Sequence, residues 1–203
     1  MPPHYFRRER AKHKRPILIS DYLLGKTLEF YVAGNVFSSQ QVDEGTKLLL
    51  ENIIIEDGVT VLDAGCGYGV IGIAIAKAYP KTRVYMVDIN PEAVKLAKMN
   101  AKRNKVEDRV IVLQGDLYEP VQNKKFNAII SNPPLSAGWK TIERLIRGAP
   151  QHLTPYGYLE TVFKKGGEKA KKIMKEAGLE IVRDIRRKGY NIIIARKSIS
   201  PIL

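Results

Sequence analysis

Cysteine and histidine are scarce in this chain of 203 residues, which has one of the first and three of the second. The lone thiol, Cys66, forms no internal disulfide and builds no cysteine-based zinc site, a usage that fits a reducing compartment. A nucleophilic cysteine needs a base beside it, and His4, His13 and His152 stand in no spacing that supplies one. No metal site is expected. Long apolar runs are also missing: none approaches the eighteen or so residues of a membrane helix, and no apolar stretch follows the basic N-terminus. The reading is of a soluble, unexported, cytoplasmic protein without internal repeats or low-complexity segments.

Acid is in deficit, with 21 Asp+Glu against 34 Lys+Arg and a formal charge of +13. The excess sits at the two ends. Residues 1–15 carry Arg7, Arg8, Arg10, Lys12, Lys14 and Arg15 against Glu9, a net of +5; residues 164–197 carry twelve basic residues against four acids, a net of +8. The middle is close to neutral. Such ends attract a phosphate backbone through counterion release, without reading sequence. The alternative is a set of solvated helix faces in a Lys-rich, thermophile-like protein, and Lys164, Lys165, Lys169, Lys171, Lys172 and Lys175 flank or occupy one such helix.

A hydrophobic content of 44% over this length suits one full core. Residues 1–35 read as a basic arm followed by a short strand or hairpin, with Gly34 and Asn35 as a turn; residues 36–203 form the main domain. A helical pattern runs from Ser39 to about Asn52. Strands are predicted at Thr60–Asp63, Arg83–Asp88, Arg109–Gln114, Phe126–Ser131, Tyr158–Phe163, Leu179–Ile185 and Tyr190–Ala195, and helices at Val70–Ala78, Pro91–Asn104, Lys140–His152 and Glu168–Glu176. Asn90 is the expected cap of the helix that Pro91 opens. This alternation predicts an α/β fold with a mostly parallel sheet of seven strands and helices on both faces. Only four residues join the last two strands, too few for a crossover helix, so they close the sheet as an antiparallel hairpin.

Two segments carry the chemistry. The first, Val61-Leu62-Asp63-Ala64-Gly65-Cys66-Gly67-Tyr68-Gly69, is an apolar strand breaking into a glycine turn that opens a helix. In open parallel sheets this turn lies in the ligand crevice, and glycine lets the backbone turn sharply and approach a ligand closely. Gly67 to Gly72 also fit G-x-G-x-x-G with Asp88 some twenty residues on, as in dinucleotide-binding folds. Asp63 before the glycines and an Asn-Pro-Pro segment after the fourth strand oppose that reading, since hydride transfer needs neither. The pattern resembles the class I S-adenosylmethionine-dependent methyltransferases over residues 37–197, with their Rossmann-like fold. The resemblance implies that Asp63, Ala64, Gly65, Cys66, Gly67 and Gly69 wrap the methionine end of the cofactor and that Asp88 accepts from the ribose hydroxyls. It also sets Ile89 against the adenine, Asp116 and Leu117 near its amine, and Asn132 beside the methyl donor. Tyr31 and Phe37 either close over the cofactor or fill core.

The second segment is Ser131-Asn132-Pro133-Pro134-Leu135. A base amine or amide nitrogen is a poor nucleophile because its lone pair is conjugated. Two acceptors beside its N–H groups, the Asn132 side-chain oxygen and the Pro133 carbonyl, hold it so that the lone pair faces the methyl carbon. Pro133 and Pro134 stiffen the loop. Transfer is then a direct in-line displacement from sulfonium to nitrogen without a metal. Leu135 stands where an aromatic residue often stacks on the target, and Trp139 is near enough in sequence to help.

Together with Gly34-Asn35-Val36-Phe37-Ser38-Ser39 and the helix start at Asp43-Glu44-Gly45-Thr46, these segments resemble the catalytic half of the RsmC-type small-subunit ribosomal RNA guanine-N2 methyltransferases. The resemblance implies a single-domain, archaeal-like enzyme acting on guanine N2 of ribosomal RNA, with the basic arm, Lys164 and Lys165 holding RNA. Adenine-N6 methylation, glutamine-N5 methylation of a protein, and a non-catalytic cofactor-sensing RNA-binding module remain as alternatives.

Overall fold

The computed structural model describes residues 16–33, 41–133 and 138–197. Arg7, Arg8, Arg10, Lys12, Lys14 and Arg15, together with Phe37, Pro134 and Leu135, lie outside the described residues. Two antiparallel strands come first, β1 (Ile17–Leu23) and β2 (Lys26–Val32), followed by α1 (Glu44–Leu50). Alternation then begins with β3 (Thr60–Ala64), α2 (Val70–Ala78), β4 (Arg83–Asp88), α3 (Pro91–Arg103) and β5 (Val110–Gln114). It continues through β6 (Phe126–Ser131), α4 (Gly138–His152), β7 (Leu153–Phe163), α5 (Gly167–Glu176), β8 (Leu179–Arg187) and β9 (Tyr190–Lys197).

Seven strands form one sheet in the order β5-β4-β3-β6-β7-β9-β8. β3 to β7 run parallel, and β9 enters antiparallel between β7 and β8. The chain starts at β3, winds out to β5, and returns to place β6 against the other side of β3. The order of winding therefore reverses between β3 and β6, and a crevice opens beyond their carboxyl ends. Both chemical segments end there. β7 begins five residues earlier than its periodicity suggests. Phe126 pairs with Leu153 but Ala128 with Tyr158, so the turn-like Thr154–Gly157 stretch is taken up as a register slip inside the strand.

Successive strand residues alternate between two cores, as the pleat requires. Val61, Met86, Ile130 and Ile192 face α1, α2 and α3, whereas Leu62, Val87, Ile129 and Ile193 face α4 and α5. The β1–β2 hairpin buries Leu28, Phe30 and Val32 in the first of these cores. Asn100 of α3 and Asn104, which caps the end of that helix, tie it down. The Asn100 amide accepts from Tyr31 N–H at 2.7 Å and donates to Tyr31 C=O at 3.0 Å, and Asn104 treats Glu29 the same way at 3.1 and 2.8 Å. Set four residues apart on one helix face, they continue the ladder of β2 with side chains in place of a strand. Asn100 also donates to Tyr68 C=O at 2.9 Å, joining the hairpin to the glycine turn.

Candidate active site

The glycine turn is built from backbone bonds. Gly65 N–H and Cys66 N–H both donate to the Val87 carbonyl at 2.8 and 3.0 Å, so the chain leaving β3 folds over the end of β4. Gly65, Gly67 and Gly69 have φ of +74°, +55° and +96°, which side chains rarely adopt. A Cβ on Gly65 would meet no atom within 4 Å, leaving open space above the turn. Below it, Asp63 is fully buried; one oxygen accepts from Gly72 N–H at 2.9 Å and the other, Oδ1, has no partner. Burial pushes its carboxyl up to about 7, the Gly72 bond opposing the rise and Asp88 adding to it. Cys66 is buried and its thiol is raised well above its usual range by burial and then by the two aspartates, which keeps it protonated and inert.

Asp88 ends β4 with both oxygens engaged by backbone: Oδ2 accepts from Gly67 N–H at 2.8 Å and Oδ1 from Asn90 N–H at 2.9 Å. The helix cap is Asn90, which accepts from Glu92 N–H at 2.9 Å, so Asp88 is free of that duty. A carboxylate has four lone-pair sites, and two remain for a ligand diol. Beside it Ile89 is 66% exposed, an apolar side chain held open at the crevice. Asp116 is paired with Arg144 at 2.8 Å through Oδ2.

Across the crevice, Ser131 Oγ donates to the Ala64 carbonyl at 2.7 Å, locking the end of β6 to β3. The next residue is Asn132. Its side-chain nitrogen donates to Asp43 Oδ2 and Thr46 Oγ1, both at 2.9 Å.

One cleft of about 220 Å³ gathers Ala64, Gly65, Gly67, Asp88, Ile89, Asp116, Leu117, Asn132 and Pro133 from four different strand ends. Asp63, Cys66 and Gly69 are not in its walls; they support the turn from beneath. Trp139 is not a wall either. It is half-buried against Phe163, with ring centroids 6.4 Å apart, Gly166 beneath it and the Lys169 ammonium 4.5 Å from its ring. Val87, Thr141, Ile142 and Leu145 also line the cleft, and their sequence positions carried no sign of it. Ile142 and Leu145, three apart on α4, carry a helical-face signal that pointed only to core. Lys164 and Lys165 lie instead in a neighbouring groove of about 500 Å³, shared with Arg186, Arg187 and Lys188. No group of three or more His, Cys, Asp or Glu able to hold a metal occurs among the described residues.

The cleft suits S-adenosylmethionine. Open carboxylate sites on Asp88 match a ribose diol, exposed Ile89 matches a flat ring, and the space over Gly65 admits close approach. The orphaned Asp63 Oδ1 leaves an unpartnered polar atom beneath the turn.

The profile of the methyltransferase small domain matches residues 27–194. The chain is 32% identical to the uncharacterized Bacillus subtilis protein YbxB, over 97% of this chain and all of that one. It is 36% identical to the ribosomal RNA small subunit methyltransferase C of Haemophilus influenzae over 68% of this chain, and 39% identical to that of Hahella chejuensis over 67%. It spans only 42% and 40% of the length of those two relatives. In fold it is similar to a Thermus thermophilus 16S rRNA N2 methyltransferase solved with AdoMet and guanosine, with a TM-score of 0.79 at 22% identity, covering 91% of this chain and 51% of that one. With the profile covering most of its length, the chain belongs to the methyltransferase small domain family, and it is a class I methyltransferase whose cofactor is S-adenosylmethionine.

Proposed function

We propose that this methyltransferase acts on an exocyclic base nitrogen of RNA, and that the target is guanine N2 in small-subunit ribosomal RNA. The observation that carries the reading is the placement of Asn132 and Pro133 in the wall of the same cleft as Asp88 and the glycine turn. S-adenosylmethionine, when bound, supplies an electrophilic methyl group on a sulfonium sulfur. The protein's part is to hold the nitrogen. Asn132 Oδ1 and the Pro133 carbonyl accept its two hydrogens and stabilise the positive charge that develops on it. Asp88 would take the ribose hydroxyls, Ile89 would hold the adenine, and Asp116, paired with Arg144, would take the adenine amine. Val87, Ile142 and Leu145 give the cleft apolar walls that exclude water.

RNA is favoured over a protein amide by the neighbouring groove. It carries Lys164, Lys165, Arg186, Arg187 and Lys188 against Glu168 and opens at Phe163, where β7 ends beside β6. Its arginines pair with Glu168 and Glu51 in exposed contacts that phosphates displace at little cost. The names of the ribosomal RNA relatives support the same choice of substrate. The test offers small subunits, naked small-subunit RNA, transfer RNA and total protein in parallel with cofactor labelled in its methyl group. Label recovered as N2-methylguanosine supports the proposal; label in N6-methyladenosine or in protein overturns its substrate.

A further inference from the structure

We infer that Asp43 and Thr46 are positioning residues that fix which way the Asn132 amide faces, and so commit the cleft to a nucleophile that donates N–H. This rests on reading Asn132 as the acceptor for the target nitrogen.

An asparagine amide is nearly symmetric in shape but not in chemistry, since one end donates and the other accepts. Left alone, Asn132 presents either end to a ligand. Here its NH2 group meets two oxygens, Asp43 Oδ2 and Thr46 Oγ1, each at 2.9 Å. Turning the amide over sets its oxygen against a carboxylate oxygen at 2.9 Å, acceptor facing acceptor. The Asp43 contact tolerates only one orientation, the Thr46 hydroxyl accommodates it by accepting, and the part of the amide left to a ligand is Oδ1. The Asp43 charge on the donor end also polarises the amide and strengthens Oδ1 as an acceptor. A carbonyl or a bare ring nitrogen finds no donor at this point, whereas an amino group does find its acceptor.

Asp43 is itself held from three directions. It caps α1 by accepting from Thr46 N–H at 3.0 Å, it accepts from the Tyr190 hydroxyl at 3.3 Å, and it accepts from Asn132. Gly45 makes this convergence possible: a Cβ there would lie 2.6 Å from Tyr190 Cε1 and 2.9 Å from Asp43 Oδ2, so any side chain displaces the Tyr190 ring or the Asp43 carboxylate. Thr46 is 7% exposed, and its hydroxyl faces an amide 86 residues away in sequence. Capping alone accounts for one of the bonds to Asp43 and leaves the Thr46 hydroxyl without a purpose.

The test is a double-mutant cycle. Asp43→Ser keeps a good helix cap with a side chain too short to reach Asn132. Thr46→Val removes the hydroxyl at constant shape. Both are made singly and together, in the native sequence and with Asn132→Ala, and each is followed by single-turnover methylation of small-subunit RNA, cofactor and RNA dissociation constants, and melting temperature. The combined variant should be slower by about 100-fold, the usual consequence of a mispositioned group, with cofactor affinity retained. With Asn132→Ala the same changes should cost nothing further in rate, while the melting temperature still registers the Tyr190 bond that Asp43→Ser removes. Thr46→Ser should recover most of the rate. If the combined variant fails to fold, Thr46→Val alone carries the comparison. An unchanged rate, or an equal loss in both backgrounds, overturns the inference. A wild-type rate in Asn132→Ala itself overturns the reading of the site beneath it.

Discussion

Among the described residues two carboxyls, Asp63 and Glu160, are fully buried, and they behave alike. Glu160, fully buried on β7, accepts Ile54 N–H with both oxygens at 3.2 and 3.0 Å, and burial pushes it up to about 8 against the pull of that bond and of Arg183. Its folded value lies above the usual 4.5, so the folded state keeps a proton that the unfolded chain has lost between those limits. Stability therefore falls as pH rises from about 4.5 to 8, and Asp63 adds to the fall up to about 7. Glu160→Gln should flatten that part of the curve, as thermal melts from about pH 5 to 8 will show; an unaltered slope contradicts the assignment. Asp88 makes a different kind of prediction. Asp88→Ala removes hydrogen bonds to a charged acceptor, and cofactor affinity should fall by about 2 kcal/mol, roughly thirtyfold, by calorimetric titration.

Elements made of regular pattern were legible in the sequence, and their joints were not. The strands Arg83–Asp88 and Phe126–Ser131 and the helix Val70–Ala78 stand where period and glycine punctuation put them. The start of β7 was missed because Pro155 and Gly157 interrupt its alternation, and only the pairing of Phe126 with Leu153 brings residues 153–157 into the strand. Asn100 and Asn104 read as ordinary polar residues of an amphipathic helix, because their partners on β2 lie 69 to 75 residues away. Asn100→Ala strips buried partners from Tyr31 and Tyr68, so it should destabilise the protein by about 1–3 kcal/mol in denaturant melts. Gly69→Ala should also destabilise, by about 1–2 kcal/mol, since its φ is +96° and the new methyl lies 3.0 Å from Ile73 Cδ1. In the candidate site, Asp88, the glycine turn and Asn132 were legible from motif spacing. The roles of Asp43 and Thr46 were not, because a cap signature explains those residues locally and contact with Asn132 exists only once β6 and α1 are packed.

At the scale of the whole molecule, the winding reversal between β3 and β6 decides where chemistry is possible, and the charge distribution decides what is drawn to it. The basic C-terminal segment folds back so that β9 lies two strands from β6 and its groove opens beside the cleft. Charge counted along the sequence foretold the excess, but not that five of its residues line one groove. Replacing Lys164 and Lys165 with alanine should weaken RNA binding at low salt and reduce the dependence of log K on log salt by about 1 to 2 units, leaving cofactor affinity unchanged. The measurement that bears most directly on the central claim is single-turnover methylation of small-subunit RNA by the native protein and by Asn132→Ala, side by side, with the product nucleoside identified. The account predicts N2-methylguanosine from the native protein and a rate lower by about 100-fold or more from the variant, with cofactor and RNA binding kept. Equal rates from the two proteins, or label on any other atom, would contradict it.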